Sequence, residues 1–481
     1  MLTFESILAP LGVTPLRGGQ VEVRGVQHDS RAVRPRDVFV ALAGARADGA
    51  RFVEDAAARG AAAIVAGREL ETSLPIAVVP DPRALLGRLA AGVYGDPTAR
   101  LAVAGITGTN GKTTTSYLVD AALAGAGKSA SVIGTIGYRI GPDRRDAAHT
   151  TPEADDLQRL AREALETGST HLVMEVSSHA LAQRRVHGCR FAVAVFTNLT
   201  QDHLDYHGTM EHYAAAKRVL FTDLEPGAAV VNADDPFGVS LVREARCPVS
   251  TYSTKPGALA DLVPTEASFS ADGLRALVST PGGAVEIRSP LLGRHNLENA
   301  LAALGAALAL GCDAASAARG IASVRNVPGR LERVADPSGR LVLVDYAHTP
   351  DALARALAAL RPIVKGRLVC VFGCGGDRDR EKRPLMGAAV ARGADLAIVT
   401  SDNPRTEHPA AIIAEILPGL AGARETLVEQ DRRAAIALGV KATGAGDCLL
   451  IAGKGHEDYQ ILGETKMHFS DHEEAAKALD G

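Results

Sequence analysis

Leu101-Ala-Val-Ala-Gly-Ile106, continued without a break by Thr107-Gly-Thr-Asn-Gly-Lys112-Thr113-Thr114, decides the fold of this chain. The first six residues are a continuous rather than alternating apolar run, the pattern of a strand covered on both faces of a parallel sheet. A glycine-rich turn follows, and a helix is expected from about Thr113. Glycines in such a turn let backbone N–H groups wrap phosphate oxygens, and the helix N-terminus adds its dipole. Lys112 suits the β- and γ-phosphates, and the Thr113 hydroxyl suits Mg²⁺. Gly108, Thr109, Asn110, Gly111, Lys112, Thr113 and Thr114 are therefore the candidate ATP loop. The fit to G-x-x-x-x-G-K-[ST] is imperfect, because Ile106 stands where the first glycine would fall. A loop of this kind does not separate a motor, a switch and a synthetase.

Similar apolar runs recur along the chain: His171–Glu175, Phe191–Phe196, Ala228–Asn232, Leu341–Asp345, Leu368–Phe372, Leu396–Thr400 and Cys448–Ala452. Ala-rich helical stretches alternate with them, so the fold class is α/β with parallel sheets. At 481 residues the chain is too long for one core. Turn-forming clusters at Tyr94-Gly-Asp-Pro97 and Asn326-Val-Pro-Gly329 suggest three domains, 1–97, 98–328 and 329–481.

An apolar fraction of 46% and a charged fraction of 22% are those of a water-soluble globular protein. A net charge of −4 gives no electrostatic case for nucleic acid or an acidic membrane. The six cysteines (189, 247, 312, 370, 374 and 448) lack the paired spacing of a zinc site or disulfide framework, so reduced thiols in a cytoplasmic protein are expected. No basic segment followed by an apolar one opens the chain, so no signal peptide is expected. The run Ala300–Cys312 is too short for a bilayer and reads as a buried helix.

Two further clusters carry chemistry. Glu175 closes an apolar strand, where a carboxylate beside an ATP loop suits Mg²⁺. The loop after the next strand holds Asp202, His203, Asp205 and His207; His203 is read as a metal ligand, and Asp205 and His207 stay open. By helical position alone, Lys217 reads as a solvated residue. The turn Ser401-Asp402-Asn403-Pro404-Arg405 follows a buried strand, and Pro404 makes it rigid. An acid for an ammonium and a guanidinium for a carboxylate suit a zwitterionic ligand. Gly373-Cys-Gly-Gly376-Asp-Arg378 has the wrong spacing for a dinucleotide fingerprint.

Gly108–Thr114, Glu175 with Ser177-Ser178-His179, Asp202-His203, Lys217, His295-Asn296 and Asp345-Tyr-Ala-His348 together resemble the Mur ligases. These are ATP-dependent amide-forming enzymes of peptidoglycan precursor synthesis, and the resemblance covers essentially the whole chain. It implies a UDP-binding α/β domain, a central P-loop ATPase domain and a Rossmann-like domain for the incoming amino acid. It further implies that Lys112, Glu175, His203 and Lys217 are catalytic. Lys217 would be carbamylated and would hold Mg²⁺ with Thr113, Glu175 and His203. ATP would also meet His295, Asn296, Arg330, Asp345 and His348. The UDP-sugar peptide would contact His28, Ser30 and the loop Ala45, Arg46 and Ala47, beside Asp29 and Arg31. Deeper in, Thr150, Thr151, Ser177, Gln183 and Arg185 would follow. The acceptor amino acid would be held by Arg378, Asp402, Asn403, Pro404, Arg405, Gly453 and Glu457.

Within the family the chain is most similar to enzymes adding the third amino acid. The implied reaction joins meso-2,6-diaminopimelate to the D-Glu γ-carboxylate of UDP-N-acetylmuramoyl-L-Ala-D-Glu through an acyl phosphate, with ATP and Mg²⁺. Two alternatives stay open: L-lysine or L-ornithine as acceptor, and a folylpolyglutamate synthetase-like ligase. A P-loop switch, from a different class, would need partner-dependent turnover. The expected partners are these small molecules only, with no nucleic acid or membrane, and a monomer is the default.

Overall fold

The computed structural model describes residues 1–44 and 48–480. The chain divides into two compact units. The first holds residues 1–253, 260–262 and 302–317, and the second 254–259, 263–301 and 318–481.

In the first unit, strands Gly25–Gln27, Asp37–Val40, Ala63–Ala66 and Ile76–Val78 form a parallel sheet in chain order. Both faces are covered. Phe4, Leu8, Leu86 and Leu89 pack with Val38, Val40 and Val65, while Val53 and Ala56 pack with Phe39 and Ile64. A second sheet has eight strands, in the order Val249–Tyr252, Ala229–Asn232, Val193–Phe196, Ala102–Thr107, His171–Glu175, Ala130–Gly134, Gly137–Ile140 and Asp143–Arg145. The first six are parallel, and the last two return antiparallel. From Ala102–Thr107 the chain builds outward in one direction and then, from Val193, in the other. Reversal of this kind opens a crevice at the carboxyl ends of the strands. The phosphate-loop candidate leaves Thr107 at that crevice.

The second unit is built on a six-stranded sheet ordered Glu332–Val334, Leu341–Asp345, Cys448–Ala452, Leu368–Phe372, Leu396–Val399 and Thr426–Val428. Only Glu332–Val334 runs antiparallel. Cys448–Ala452 is interior and wholly buried, which explains its unbroken apolar run. Leu353, Leu357, Met386 and Ile416 cover one face; Ile436, Val440 and Phe469 cover the other. A hairpin, Tyr459–Leu462 with Thr465–His468, follows. The unit also contains an antiparallel meander, Val263–Ser270, Gly273–Thr280 and Gly283–Ser289, that the search for continuous apolar runs did not find. Its middle strand alternates, with Leu274, Ala276 and Val278 inward and Arg275, Leu277 and Ser279 outward.

Each apolar run read as a strand forms one, and the helix expected from about Thr113 starts at Lys112. Ala300–Cys312 lies largely in the helix Arg294–Ala309, whose many buried alanines permit close packing. Among the described residues, no helix is long and apolar enough to cross a membrane.

Candidate active site

The turn after strand Ala102–Thr107 needs its glycines. Gly108 (φ 150°) and Gly111 (φ 87°) both lie in the left-handed region. A Cβ on Gly108 would also overlap the Thr197 hydroxyl. The loop is tied down from the neighbouring strand end: the Asn110 N–H donates to Asn198 Oδ1 (2.9 Å), and the Thr197 hydroxyl donates to the Asn110 carbonyl (2.6 Å). Lys112 opens the helix Lys112–Gly125, and its Nζ folds back onto the Gly108 and Thr109 carbonyls, both at 2.9 Å. Thr113 and Thr114 are buried in the first turn.

Glu175 is the hub beside this loop. Its carboxylate accepts from the Thr113 hydroxyl (3.0 Å), the Thr135 N–H (2.8 Å) and the Thr135 hydroxyl (3.0 Å). Its backbone carbonyl accepts from the Thr151 hydroxyl (2.8 Å). A Cβ on Gly134 would strike the carboxylate, so that residue must be glycine for Glu175 to lie flat against the strand. Neither Gly134 nor Thr135 was picked out from the sequence; the only signal was their place at the end of an apolar run.

Lys217 overturns its solvated reading. It is 1% exposed, inside the helix Met210–Thr222, and its Nζ donates to the Gly108 carbonyl at 2.9 Å. Gly108 O thus receives both Lys112 and Lys217. Burial, and after it the positive charge of Lys112, holds the Lys217 amine well below its ordinary pKa. Its other neighbour is the ring of Tyr213, 4.4 Å away, whose hydroxyl bonds Thr109 Oγ1 at 3.1 Å. His203 has a left-handed backbone (φ 53°), and its ring lies 4.8 Å from that of His179 and 6.1 Å from that of Tyr213. Burial lowers the pKa of His203, and lowers that of His179 to about 4 with His203 as the next cause. His207 pairs with Ser178 Oγ at 3.0 Å, its ring 5.1 Å from that of Tyr213 and 5.5 Å from that of His179. A carboxylate, a threonine hydroxyl, an imidazole and an amine whose pKa burial lowers fit a hard divalent cation, provided the amine acquires an oxygen donor.

The residues of the first unit expected to meet a UDP-sugar peptide form two sets, the second of them bonded to Thr135 and Glu175 through Thr150 and Thr151. His28 donates its N–H to Asp155 Oδ2 (2.9 Å), and its Nδ1 lies 2.8 Å from the same oxygen. Ser30 is buried, and Asp29 pairs with Arg31 at 2.7 Å. Arg185 is the centre of the second set. It reaches Gln183 Oε1 (2.7 Å), Glu153 Oε1 (3.0 Å) and the Thr151 carbonyl (3.1 Å). Ser177 caps the next helix and receives Thr151, and Thr150 bonds Thr135 at 3.0 Å. Ala45, Arg46 and Ala47 lie outside the described residues.

In the second unit the Ser401–Arg405 turn is buried up to Pro404. Asn403 Nδ2 donates to Glu457 Oε2 (2.9 Å), while its Oδ1 accepts from Lys454 Nζ (3.1 Å) and the Ile461 N–H (3.0 Å). Asp402 lies beside Gly453, where a Cβ would come within 2.7 Å of Oδ2. Arg405 (φ 53°) reaches the Gly376 carbonyl at 2.7 Å. Arg378 is exposed, and a Cβ on Gly375 would lie 3.0 Å from Arg405 Nη1 and 3.7 Å from Arg378 Cγ, so both arginine arms flank that glycine. Lys454, which sequence reasoning passed over, is buried among Asn403, Glu457 and Asp402; its placement between Gly453 and Gly455 was the available signal.

The residues expected beside ATP in this unit are anchored differently. Asp345 accepts from the Leu331 and Ala347 N–H groups at 2.7 and 2.9 Å, and burial raises its pKa. Arg330 lies over the Tyr346 ring at 5.0 Å, and His348 bonds the Tyr346 carbonyl. Asn296 is engaged within its own helix, donating to the Leu292 carbonyl (2.8 Å) and accepting from Asn299 (3.0 Å). Burial lowers the pKa of the neighbouring His295 to about 4.

A glycine-rich loop opening a helix beside a buried carboxylate and two lysines suits an ATP-dependent ligase, and the chain is of that class. Family models for the Mur ligase family catalytic domain, the Mur ligase middle domain and the Mur ligase glutamate ligase domain match residues 22–94, 106–307 and 329–455. The chain belongs to the Mur ligase family. It is 49% identical to a UDP-N-acetylmuramoyl-L-alanyl-D-glutamate--2,6-diaminopimelate ligase of Gloeobacter violaceus, across 99% of this chain and 98% of that one. A ligase of the same name from Geobacter metallireducens is also 49% identical, covering 95% and 94%. Among solved structures, a UDP-N-acetylmuramoyl-L-alanyl-D-glutamate--2,6-diaminopimelate ligase is 37% identical with a TM-score of 0.74, covering 100% of this chain and 99% of that one.

Proposed function

We propose that this ligase joins one amine of meso-2,6-diaminopimelate to the γ-carboxylate of D-Glu in UDP-N-acetylmuramoyl-L-Ala-D-Glu, forming a precursor of peptidoglycan. The observation that carries the reading is the Asp402–Arg405 turn with Arg378. There two carboxylates (Asp402 and Glu457) lie beside Lys454 and two arginine arms flank Gly375, a set suited to an amino acid with two carboxylates. Diaminopimelate carries a carboxylate at each end, whereas lysine and ornithine lack the distal one. A guanidinium left without it discriminates strongly against the wrong acceptor. The full-length likeness to ligases named for diaminopimelate supports the same acceptor.

ATP with Mg²⁺, when bound, supplies the phosphoryl group and neutralises charge as it is transferred. The chain's residues do the rest. Lys112 and the amides of Gly108–Thr114 hold the phosphates, and Arg185 with Thr150, Thr151, Ser177 and Gln183 holds the sugar peptide. The γ-carboxylate of D-Glu takes the γ-phosphoryl group as ADP departs. The acceptor amine then attacks the acyl carbon, losing a proton, and phosphate leaves with the bonding pair. Glu175, His203 and Lys217, the last as its N-carboxylate, are the residues that would hold Mg²⁺. Lys217 is suited to carbamylation, because only a neutral amine adds carbon dioxide and burial shifts the balance towards that form. No protein nucleophile is needed, so positioning and exclusion of water carry the rate.

The same proposal assigns UDP-sugar binding to residues 1–97, ATP binding to 98–328 and acceptor binding to 329–481. His295, Asn296, Arg330, Asp345 and His348 are ATP residues within it. It further describes a cytoplasmic monomer without nucleic-acid or membrane partners, supported by six free cysteines and a net charge of −4. ADP release assayed with each substrate omitted in turn tests the reaction. Turnover is expected only with the UDP-linked dipeptide and diaminopimelate together, with lysine a poor replacement. Turnover that ignores either substrate would refute the reading.

A further inference from the structure

A buried arginine lies beneath the acceptor residues and touches none of their ligand-facing atoms. Arg383 is 0% exposed, in the helix Lys382–Gly393. Its Nη1 donates to Glu407 Oε2 (3.0 Å) and Glu415 Oε2 (2.8 Å), and its Nη2 to Glu407 Oε1 (2.7 Å). Glu407 Oε1 also accepts the Asp377 N–H at 2.6 Å. Asp377 in turn receives the Thr406 hydroxyl (2.8 Å) and N–H (3.1 Å). Its neighbours in sequence are Gly376, whose carbonyl receives Arg405 Nη1, and Arg378.

The chain Arg383–Glu407–Asp377–Thr406 therefore clasps two loops, 373–379 and 401–407, each of which carries one acceptor arginine. The clasp is tight. The Gly376 N–H donates to the Asn403 carbonyl at 2.9 Å, and a Cβ on Gly376 would overlap the Pro404 carbonyl oxygen. Both loops also contain a non-glycine residue in the left-handed region, Asp377 (φ 52°) and Arg405 (φ 53°). Such backbones persist only where surrounding contacts over-determine them. Two of the three links end on Asp377, one of them from Thr406 beside Arg405, and the third anchors Glu407 to the buried Arg383.

We propose that Arg383, acting through Glu407, Asp377 and Thr406, is a positioning residue that fixes Arg378 and Arg405 for the two carboxylates of the diamino-acid acceptor. The inference rests on the acceptor reading above and deepens it by naming what sets the spacing of the two guanidinium groups. Arg383 is wholly buried but its partners Glu407 and Glu415 are 22% and 30% exposed, so screening and desolvation make the pairs a weak source of stability. Their value here is geometric: loss of ångström-scale placement costs binding and rate.

Steady-state kinetics on Thr406→Val, Glu407→Gln and the pair Arg383→Met and Arg383→Lys test this. Thr406→Val deletes one bond to Asp377 and leaves Arg383 and Glu407 intact, so it remains informative where Arg383→Met fails to fold. The expected result is a rise of about tenfold or more in KM for diaminopimelate, with KM for ATP and for the UDP-linked dipeptide unchanged. Preference for diaminopimelate over lysine should fall in parallel, and Arg383→Lys should recover part of it. Equal changes in all three KM values, or an unchanged diaminopimelate KM alongside a lower Tm, would overturn the inference and leave Arg383 a structural residue. The unmodified enzyme is assayed first. If it adds another amino acid instead, the acceptor reading falls, and the same KM comparison with that amino acid judges the clasp.

Discussion

At position 28 an imidazole is held against a fully buried carboxylate. Burial alone would lower the pKa of His28, but the hydrogen bond and charge of Asp155, with Glu153 and Asp156 nearby, outweigh it and raise the value from 6.5 to about 9. The group is thus a cation at neutral pH, beside the loops assigned to the UDP moiety. The sign follows from the raised value. The stabilisation is fully present below pH 6.5 and is lost as pH rises through about 9. In Asp155→Asn the imidazole should titrate at or below 6.5, read from its NMR shift, and thermal stability should lose its dependence on pH between 7 and 9. A midpoint still near 9 would assign the shift to another group. Lys217 gives the second prediction at this scale. Lys217→Ala should lose nearly all activity and regain part of it with formate or acetate, which place a carboxylate oxygen where the N-carboxylate would lie. Full activity without rescue would remove the carbamate from the mechanism. Neither environment was visible in sequence, where Lys217 has the helical position of a solvated lysine and Asp155 lies far from His28.

Elements were legible where burial was two-sided. His171–Glu175, Leu368–Phe372 and Cys448–Ala452 are interior strands, and their unbroken apolar runs specify them. Gly273–Thr280 has one wet face and alternates, so a search for continuous runs passes over it. Helix Arg432–Lys441 shows a different limit. Its Arg432 carries no local signal of burial, yet its side chain is 0% exposed and makes a bidentate pair with the equally buried Asp471, both bonds at 2.7 Å. The same guanidinium donates to the Ser401 and Ala452 carbonyls, joining the ends of two strands just where the acceptor turn begins. Arg432→Met should cost about 3–5 kcal/mol in chemical denaturation, because Asp471 is left buried and uncompensated. The double variant Arg432→Met, Asp471→Leu should recover most of that loss. If it instead adds the two single costs, the pair is not coupled.

For the molecule as a whole, the class of fold and the ligase activity were legible because each needs unusual residues at fixed spacing. The phosphate loop requires glycine at positive φ, and the acceptor turn requires Pro404 beside an acid and a base. What supports those groups was barely legible, since Thr135, Arg383, Lys454 and Asp155 act across long sequence separations, with the end of an apolar run at Thr135 and the flanking glycines at Lys454 as the local signals. Arg405 illustrates what such a frame permits over evolutionary time. Its N–H donates to the Ile461 carbonyl (3.1 Å) and its own carbonyl receives the Gly463 N–H (2.8 Å), so the hairpin holds the backbone whichever side chain is present. A left-handed position so anchored accepts asparagine or glycine at little conformational cost. On the acceptor reading proposed above, a substitution at this one codon changes which diamino acid is preferred while the backbone of the turn is kept.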